Sequence, residues 1–87
     1  MRVFYSGRVQ GVGFRYCVKV TAAGFEVLGT VRNLPDGRVE LVAEGVRAEL
    51  DAFCAAIRES SVGSFIRGEQ AEWSAAAGGL RGFEIVS

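Results

Sequence analysis

The sequence predicts a two-layer α+β sandwich in which two helices pack on one face of a mostly antiparallel sheet. Apolar residues alternate with a period of two in several short segments and recur at helical spacing in two longer ones. These segments follow the order β-α-β-β-α-β, with one further strand at the end. Packing both helices on one sheet buries both apolar stripes at once. The order and the packing describe a ferredoxin-like βαββαβ sandwich with an extra C-terminal strand.

The first predicted strand and helix are joined by a glycine-containing loop. Residues 2–9 alternate, with Val3 and Tyr5 on one side and Phe4 on the other. Two glycines within residues 10–13 interrupt this alternation. Apolar residues then recur at helical spacing from Phe14 to Phe25, which predicts an amphipathic helix of about 11 residues.

A β-hairpin is predicted next. Residues 29–34 are extended in character, and residues 34–37 read Leu-Pro-Asp-Gly, a turn sequence in which Pro presets φ and Asp-Gly tolerates positive φ. Residues 38–44 alternate again and form the returning strand. Two such strands around a tight turn indicate a hairpin.

The second half of the chain repeats the helix–strand order. The second helix is marked by an apolar stripe at helical spacing, formed by Val46, Leu50, Phe53, Cys54 and Ile57. Residues 64–73 form a weaker strand, because Gly68 and Glu69 interrupt its apolar pattern. Residues 74–79 are a small-residue loop, and residues 81–86 are the last strand. Because no linker or low-complexity tract interrupts the chain, we expect residues 1–87 to form a single domain.

Composition and charge exclude several classes of protein. Of the 87 residues, 49% are hydrophobic and 23% charged, which is typical of a globular protein and not of a disordered one. Ten basic and ten acidic side chains give no net charge, so no nucleic-acid partner is expected. No apolar run approaches the roughly 18 residues of a membrane span, and the N-terminus does not resemble a signal peptide. A cytoplasmic location, no membrane association and reduced cysteines at 17 and 54 are therefore expected.

The chain contains no histidine. Nucleophilic catalysis by Ser-His or Cys-His pairs is therefore excluded, and the commonest transition-metal ligand is missing. Cys17 and Cys54 do not have the spacing of a zinc site, and each falls on the apolar stripe of its helix. We expect no metal and no cofactor.

The segment with the clearest chemical signal is residues 7–15, which read Gly-Arg-Val-Gln-Gly-Val-Gly-Phe-Arg. It leaves a strand, passes through a glycine-containing loop and enters a helix. Backbone N–H groups in such a loop and at a helix start form a cradle for a tetrahedral anion, and Arg15 in the first turn can bind two of its oxygens. The pattern is neither a P-loop nor a dinucleotide fingerprint, and by itself it also occurs in proteins that bind no phosphate.

Residues 7–15 resemble the first signature of the acylphosphatase family. Residues 29–40, Gly-Thr-Val-Arg-Asn-Leu-Pro-Asp-Gly-Arg-Val-Glu, resemble its second signature, and the likeness extends to Gly-Phe-Glu-Ile at 82–85. It implies hydrolysis of small acyl phosphates to a carboxylate and orthophosphate. In this resemblance Arg15 and Asn33 are the catalytic residues: Arg15 holds the phosphoryl group and Asn33 orients the attacking water. The implied phosphate-binding loop consists of Gln10, Gly11, Val12, Gly13, Phe14 and Arg15.

A non-catalytic ferredoxin-like module that binds an anion or a protein is the alternative. An RNA-recognition module shares the element order but needs aromatic residues on its central strands, and residues 38–44 contain none. No long exposed apolar run calls for a partner, so a monomer is expected. Arg8 is either a neighbour of the anion site or a surface residue, and Trp73 is expected to pack.

Three positions depart from the family pattern. Glu26 stands where a helix-ending glycine is usual, so either strain at Glu26 or a cap shifted to Gly24 is expected. Val46 replaces a common proline, and Glu69 falls where an apolar strand residue is usual. The carboxylates Asp36, Glu40 and Glu44 have no evident partner and are interpreted as solvated charges.

Overall fold

The computed structural model describes residues 1–87. Its elements are β1 (Arg2–Gly7), α1 (Phe14–Ala22), β2 (Leu28–Asn33), β3 (Val39–Glu44), α2 (Arg47–Glu59), β4 (Ile66–Glu72) and β5 (Phe83–Ile85), with one 3-10 turn at Gly63–Phe65. This order confirms the predicted βαββαβ arrangement with an added strand. None of the helices is long and apolar enough to cross a bilayer.

The five strands form one sheet in the order β4-β1-β3-β2-β5. All neighbours are antiparallel except β2 and β5, which run parallel. In the centre, Leu41 of β3 lies between Val3 of β1 and Val31 of β2, and all three side chains are fully buried. The helices cover this face of the sheet with Phe14, Val18 and Ala22 of α1 and Leu50, Phe53, Cys54 and Ile57 of α2. Both predicted apolar stripes therefore meet in one core.

β1 ends two residues before the predicted boundary. The register against β4 shifts between Ser6 and Gly7, and Gly7 has a φ of 120°. A Cβ atom there would clash with the carbonyl oxygen of Phe65, so glycine is required where the two backbones approach closely. The chain leaves the sheet at this point, and the Arg8 N–H donates to the Phe65 carbonyl at 3.0 Å.

The expectation for the end of α1 is wrong. No residue other than glycine has a positive φ, and Gly24 is not among the glycines that do. The helix instead ends in a tightened turn, in which the N–H groups of residues 23–25 donate to carbonyls three residues back. Glu26 lies outside this turn without strain, and its N–H donates to Glu49 Oε1 of α2 at 2.8 Å.

The other two departures have different outcomes. Val46 is not part of the buried stripe of α2: it precedes the first helical turn and is 67% exposed. Glu69 lies on β4, opposite Tyr5 of β1. Its carboxylate accepts two hydrogen bonds from the Arg58 guanidinium, at 2.8 and 2.9 Å. This bidentate pair compensates the charge on the strand.

The three carboxylates interpreted as solvated charges all have partners. Glu40 accepts from Arg32 Nε at 2.7 Å and lies 3.5 Å from Arg2 Nε. Asp36 pairs with Arg38 across the hairpin turn. Glu44 accepts two backbone N–H groups from the segment before β5. The partners of Glu40 and Glu44 are set by strand pairing and chain crossing, which local sequence does not indicate; that of Asp36 lies only two residues away, so this pair was within reach of the local sequence.

Candidate active site

A cleft of about 160 Å³ opens at the end of the sheet where β1 passes into α1 and β2 ends. The two predicted catalytic residues, Arg15 and Asn33, both line this cleft. The remaining lining residues are Val9, Gly11, Gly13, Phe14, Tyr16 and Ile85. The fold thus brings the loop after β1 and the last residue of β2 together at one place.

The loop requires glycine at two positions because of its backbone conformation. Gly11 and Gly13 have φ values of 75° and 80°, in the left-handed region that other residues enter at a cost. No atom lies near where a Cβ would stand at either position, so crowding is not the reason. Gly13 also precedes α1, and its carbonyl accepts the first helical hydrogen bond, from Cys17 N at 3.0 Å.

The backbone N–H groups of residues 10–16 donate to no other protein group. Those in the first turn of α1 have no acceptor inside the helix, and no acidic residue occupies that turn. The positive end of the helix dipole adds to the effect of these free donors. The loop and the helix start therefore have the properties of an anion site.

The side chain of Gln10 connects this loop to the β2–β3 turn. Its Nε2 donates to the carbonyls of Leu34 at 2.8 Å and Arg38 at 2.9 Å. Leu34 directly follows Asn33, so one amide group ties the loop to the strand end that carries Asn33. Gln10 was predicted as part of the loop, but this contact is not readable from the sequence, because the acceptors lie 24 and 28 residues away.

Asn33 is the last residue of β2 and pairs with Val39 of β3. Its side-chain oxygen Oδ1 is buried and has no hydrogen-bond partner. A buried acceptor without a partner is uncommon and costs free energy. Since less than 1 Å² of this atom is accessible, a donor from outside the protein reaches it only if the Asn33 side chain turns towards the cleft.

Arg15 is half-buried in the first turn of α1. Its guanidinium takes part in none of the ion pairs or side-chain hydrogen bonds of the structure, whereas Arg32, Arg38 and Arg58 are all paired with carboxylates. Arg8 does not line the cleft; its guanidinium lies 6.0 Å from the ring centre of Phe65. The free cation in the cleft is therefore Arg15.

No carboxylate, cysteine or histidine lines the cleft. Across the whole structure, no group of three His, Cys, Asp or Glu side chains is arranged to hold a metal ion. Cys54 is buried in the core and Cys17 is half-buried against it, as expected. Val9, Tyr16 and Ile85 line the cleft without having been predicted from the sequence. For Tyr16, its place beside Arg15 in the first helical turn was an available signal.

Together the fold and the cleft define a small α/β sandwich protein with an anion site built from backbone N–H groups and one arginine. Comparison with known proteins agrees with this class. The acylphosphatase family model matches residues 1–85, and the chain therefore belongs to the acylphosphatase family.

Several relatives support this assignment. The chain is 49% identical to the acylphosphatase of Acidothermus cellulolyticus over 80 residues, which is 88% of this chain and 76% of the relative. It is 45% identical to that of Rubrobacter xylanophilus over 85 residues, which is 98% of this chain and 77% of the relative. The crystal structure of acylphosphatase from Bacillus subtilis superposes with a TM-score of 0.90 at 40% identity, covering 99% of this chain and 96% of that one.

The fold also occurs inside a larger protein. The chain matches the crystal structure of T. kodakarensis HypF with a TM-score of 0.84 at 29% identity, covering 99% of this chain and 11% of that one. These comparisons confirm both the predicted enzyme class and the predicted fold: the chain is a hydrolase of the acylphosphatase type.

Proposed function

We propose that the chain hydrolyses the carboxyl–phosphate bond of acyl phosphates by direct attack of water. In this proposal residues 10–15 and the Arg15 guanidinium bind the phosphoryl group, and Asn33 orients the water. The observation that carries the proposal is that one cleft brings together the free N–H groups of the loop, the unpaired Arg15 guanidinium and the Asn33 side chain. The side-chain amide of Asn33 can both donate to and accept from a water molecule.

The phosphoryl group needs stabilisation of negative charge more than covalent chemistry. The transition state of phosphoryl transfer is loose and spreads charge over the equatorial oxygens, so positioning and electrostatics account for most of the catalysis. The free N–H groups of the loop and Arg15 provide donors that are already in place. The carboxylate leaves readily and needs no proton from an acid.

The proton of the attacking water has no protein base to receive it in the cleft, because no carboxylate or histidine lines it. The amide of Asn33 accepts a hydrogen bond but does not take a proton at neutral pH. We propose that the proton passes to a phosphoryl oxygen as the water oxygen bonds to phosphorus. The bond from phosphorus to the acyl oxygen breaks with its electron pair, which yields a carboxylate and dihydrogen phosphate; the latter exchanges a proton with solvent after release.

The test is an assay of orthophosphate release from benzoyl phosphate in ¹⁸O-labelled water, with and without EDTA. The proposal predicts release with one labelled oxygen in the phosphate, no loss of rate with EDTA, and competitive inhibition by orthophosphate. Label in the benzoate instead would show attack at the acyl carbon and overturn the mechanism. Binding of orthophosphate without turnover would favour the non-catalytic anion-binding module.

We further propose that residues 1–87 act as one domain, as a monomer, in the cytoplasm and without a metal. Two free cysteines, one of them half-buried, fit a reducing compartment. Sedimentation velocity tests the monomer: a concentration-dependent increase in the sedimentation coefficient would contradict it.

A further inference from the structure

Two apolar side chains at the cleft remain accessible to solvent. Tyr16 is 68% exposed and Ile85 is 38% exposed, and both line the cleft with Arg15 and Asn33. Other large apolar side chains are exposed elsewhere, namely Val20, Leu28, Val46 and Trp73, but none of these lines the cleft. Single exposed apolar residues are ordinary; two beside the free N–H groups and the arginine of one cleft indicate a contact with a ligand.

The two side chains reach the cleft from different elements. Tyr16 follows Arg15 in the first turn of α1. Ile85 lies on β5, which runs parallel to β2 with Ile85 opposite Val31, two residues before Asn33. Because side chains alternate along a strand, Ile85 shares a face with Phe83, which packs against the core beneath the helices. Ile85 is thus directed to the side of the sheet on which α1 lies.

The other walls of the cleft offer little apolar contact. Val9 and Phe14 are each about 1% exposed, so their side chains support the cleft from beneath. Glycines and the polar residues Arg15 and Asn33 form the part assigned to the phosphoryl group and the water. Tyr16 and Ile85 are therefore the large apolar side chains of the lining that a bound substrate can cover.

We infer that Tyr16 and Ile85 form the acyl-group subsite, and that they select acyl phosphates with aromatic or branched aliphatic acyl groups over acetyl phosphate. This inference rests on the proposed function, which places the phosphoryl group on the loop. The acyl group is joined to that phosphoryl group through a single oxygen and lies at the open side of the loop. Covering apolar surface of Tyr16 and Ile85 then stabilises a large apolar acyl group and does little for acetyl.

The test compares kcat/KM for benzoyl phosphate with kcat/KM for acetyl phosphate and takes their ratio. The two substrates differ in intrinsic reactivity, but this difference is the same for every variant. It therefore cancels when the ratio of a variant is divided by the ratio of the wild type. Tyr16→Ala should lower the ratio about tenfold, and Ile85→Ala about threefold. An apolar contact in an enclosed pocket changes discrimination by about tenfold or more, and both side chains are partly exposed, so effects at or below that value are expected. The loss should be in kcat/KM for benzoyl phosphate, through a higher KM.

Two control variants separate this role from others. Val20→Ala removes an exposed apolar side chain from the same helix outside the cleft, and the ratio should not change. Tyr16→Phe keeps the ring without the hydroxyl and should also keep the wild-type ratio. An unchanged ratio in folded, active Tyr16→Ala and Ile85→Ala would overturn this inference alone. A wild-type chain that cleaves neither substrate would overturn the proposed function together with it.

Discussion

Two glycine-rich segments of this protein use similar backbone chemistry with opposite results. The cradle loop, residues 10–13, contains Gly11 and Gly13 at positive φ; the crossing segment, residues 74–82, contains Gly78, Gly79 and Gly82 at positive φ. In the cradle loop the N–H groups donate to no protein acceptor. In the crossing segment the N–H groups of Ala77 and Gly78 donate to one carboxylate oxygen, Glu44 Oε2, at 3.0 and 3.3 Å.

The difference lies in how each segment is anchored. The crossing segment is held by an anion of the protein itself, so the donors that could bind a ligand are already used. The cradle loop is held by the Gln10 side chain, which donates to carbonyls of the β2–β3 turn and leaves the loop N–H groups free. A glycine-rich turn therefore becomes an anion site only when the fold anchors it without using its N–H groups.

The largest effect should come from removing the groups that complete the cradle loop. Arg15→Ala and Asn33→Ala should each lower kcat on benzoyl phosphate by roughly 10²–10³-fold, because each removes a preorganised group. Neither side chain is part of the core, so the thermal unfolding midpoint should change little. Arg8→Ala is the matched control, since Arg8 is a neighbouring arginine outside the cleft. If Arg8→Ala lost as much activity as Arg15→Ala, the assignment to Arg15 would be wrong.

The second effect tests the anchor of the cradle loop. Gln10→Ala removes both hydrogen bonds to the β2–β3 turn, and we expect kcat to fall roughly tenfold as the loop and Asn33 lose their relative position. Stability should fall by only about 1 kcal/mol, because the Leu34 and Arg38 carbonyls each keep a backbone donor. Gln70→Ala is the control, a change of the same residue type on the exposed β4. Full activity in Gln10→Ala would show that the anchor does not position the site.

The third effect concerns the crossing segment. Glu44→Ala should lower the free energy of unfolding by about 1 kcal/mol, since two partly exposed hydrogen bonds are lost. Amide hydrogen exchange at Ala77 and Gly78 should become faster, while kcat on acetyl phosphate stays within about twofold because Glu44 lies outside the cleft. Glu72→Ala provides the control, since Glu72 lies on the exposed β4 and its side chain makes no hydrogen bond. Unchanged exchange at Ala77 would contradict the role of Glu44 as the anchor.

The smallest effect lies in the hairpin turn to which Gln10 is tied. Backbone and side-chain hydrogen bonds from Arg38, at 3.1 and 2.8 Å, lower the pKa of Asp36 below its ordinary value. A carboxyl group with a lowered folded-state pKa contributes stability above its unfolded pKa of about 3.9, and this is lost as the pH falls through the folded pKa. Wild type should therefore exceed Asp36→Asn in unfolding midpoint at pH 6, and the gap should close towards pH 2. Glu59→Gln serves as the control. If the difference in unfolding midpoint between wild type and Asp36→Asn persisted at low pH, or were no larger than the difference for Glu59→Gln, Asp36 would not contribute this stability.

The sequence by itself determined the element order and the composition of the anion loop. Periods of two and 3.6 depend on residues a few positions apart, so the strands, both helices and the Leu34–Gly37 turn were readable from local pattern. The glycine pair at 11 and 13 indicated a loop of unusual conformation for the same reason. Arg15 was indicated as an anion ligand both by its place at the helix start and by the family resemblance, whereas the role of Asn33 came from the resemblance; both roles remain predictions.

The tertiary structure alone decided which donors stay free and which charges are paired. The contacts of Gln10 with the β2–β3 turn, of Glu44 with the crossing segment and of Arg58 with Glu69 join residues 11 to 34 positions apart. Strand register and the parallel addition of β5 set these distances, and no local pattern encodes them. The place of Ile85 in the cleft has the same origin, because it depends on which edge of the sheet the last strand joins.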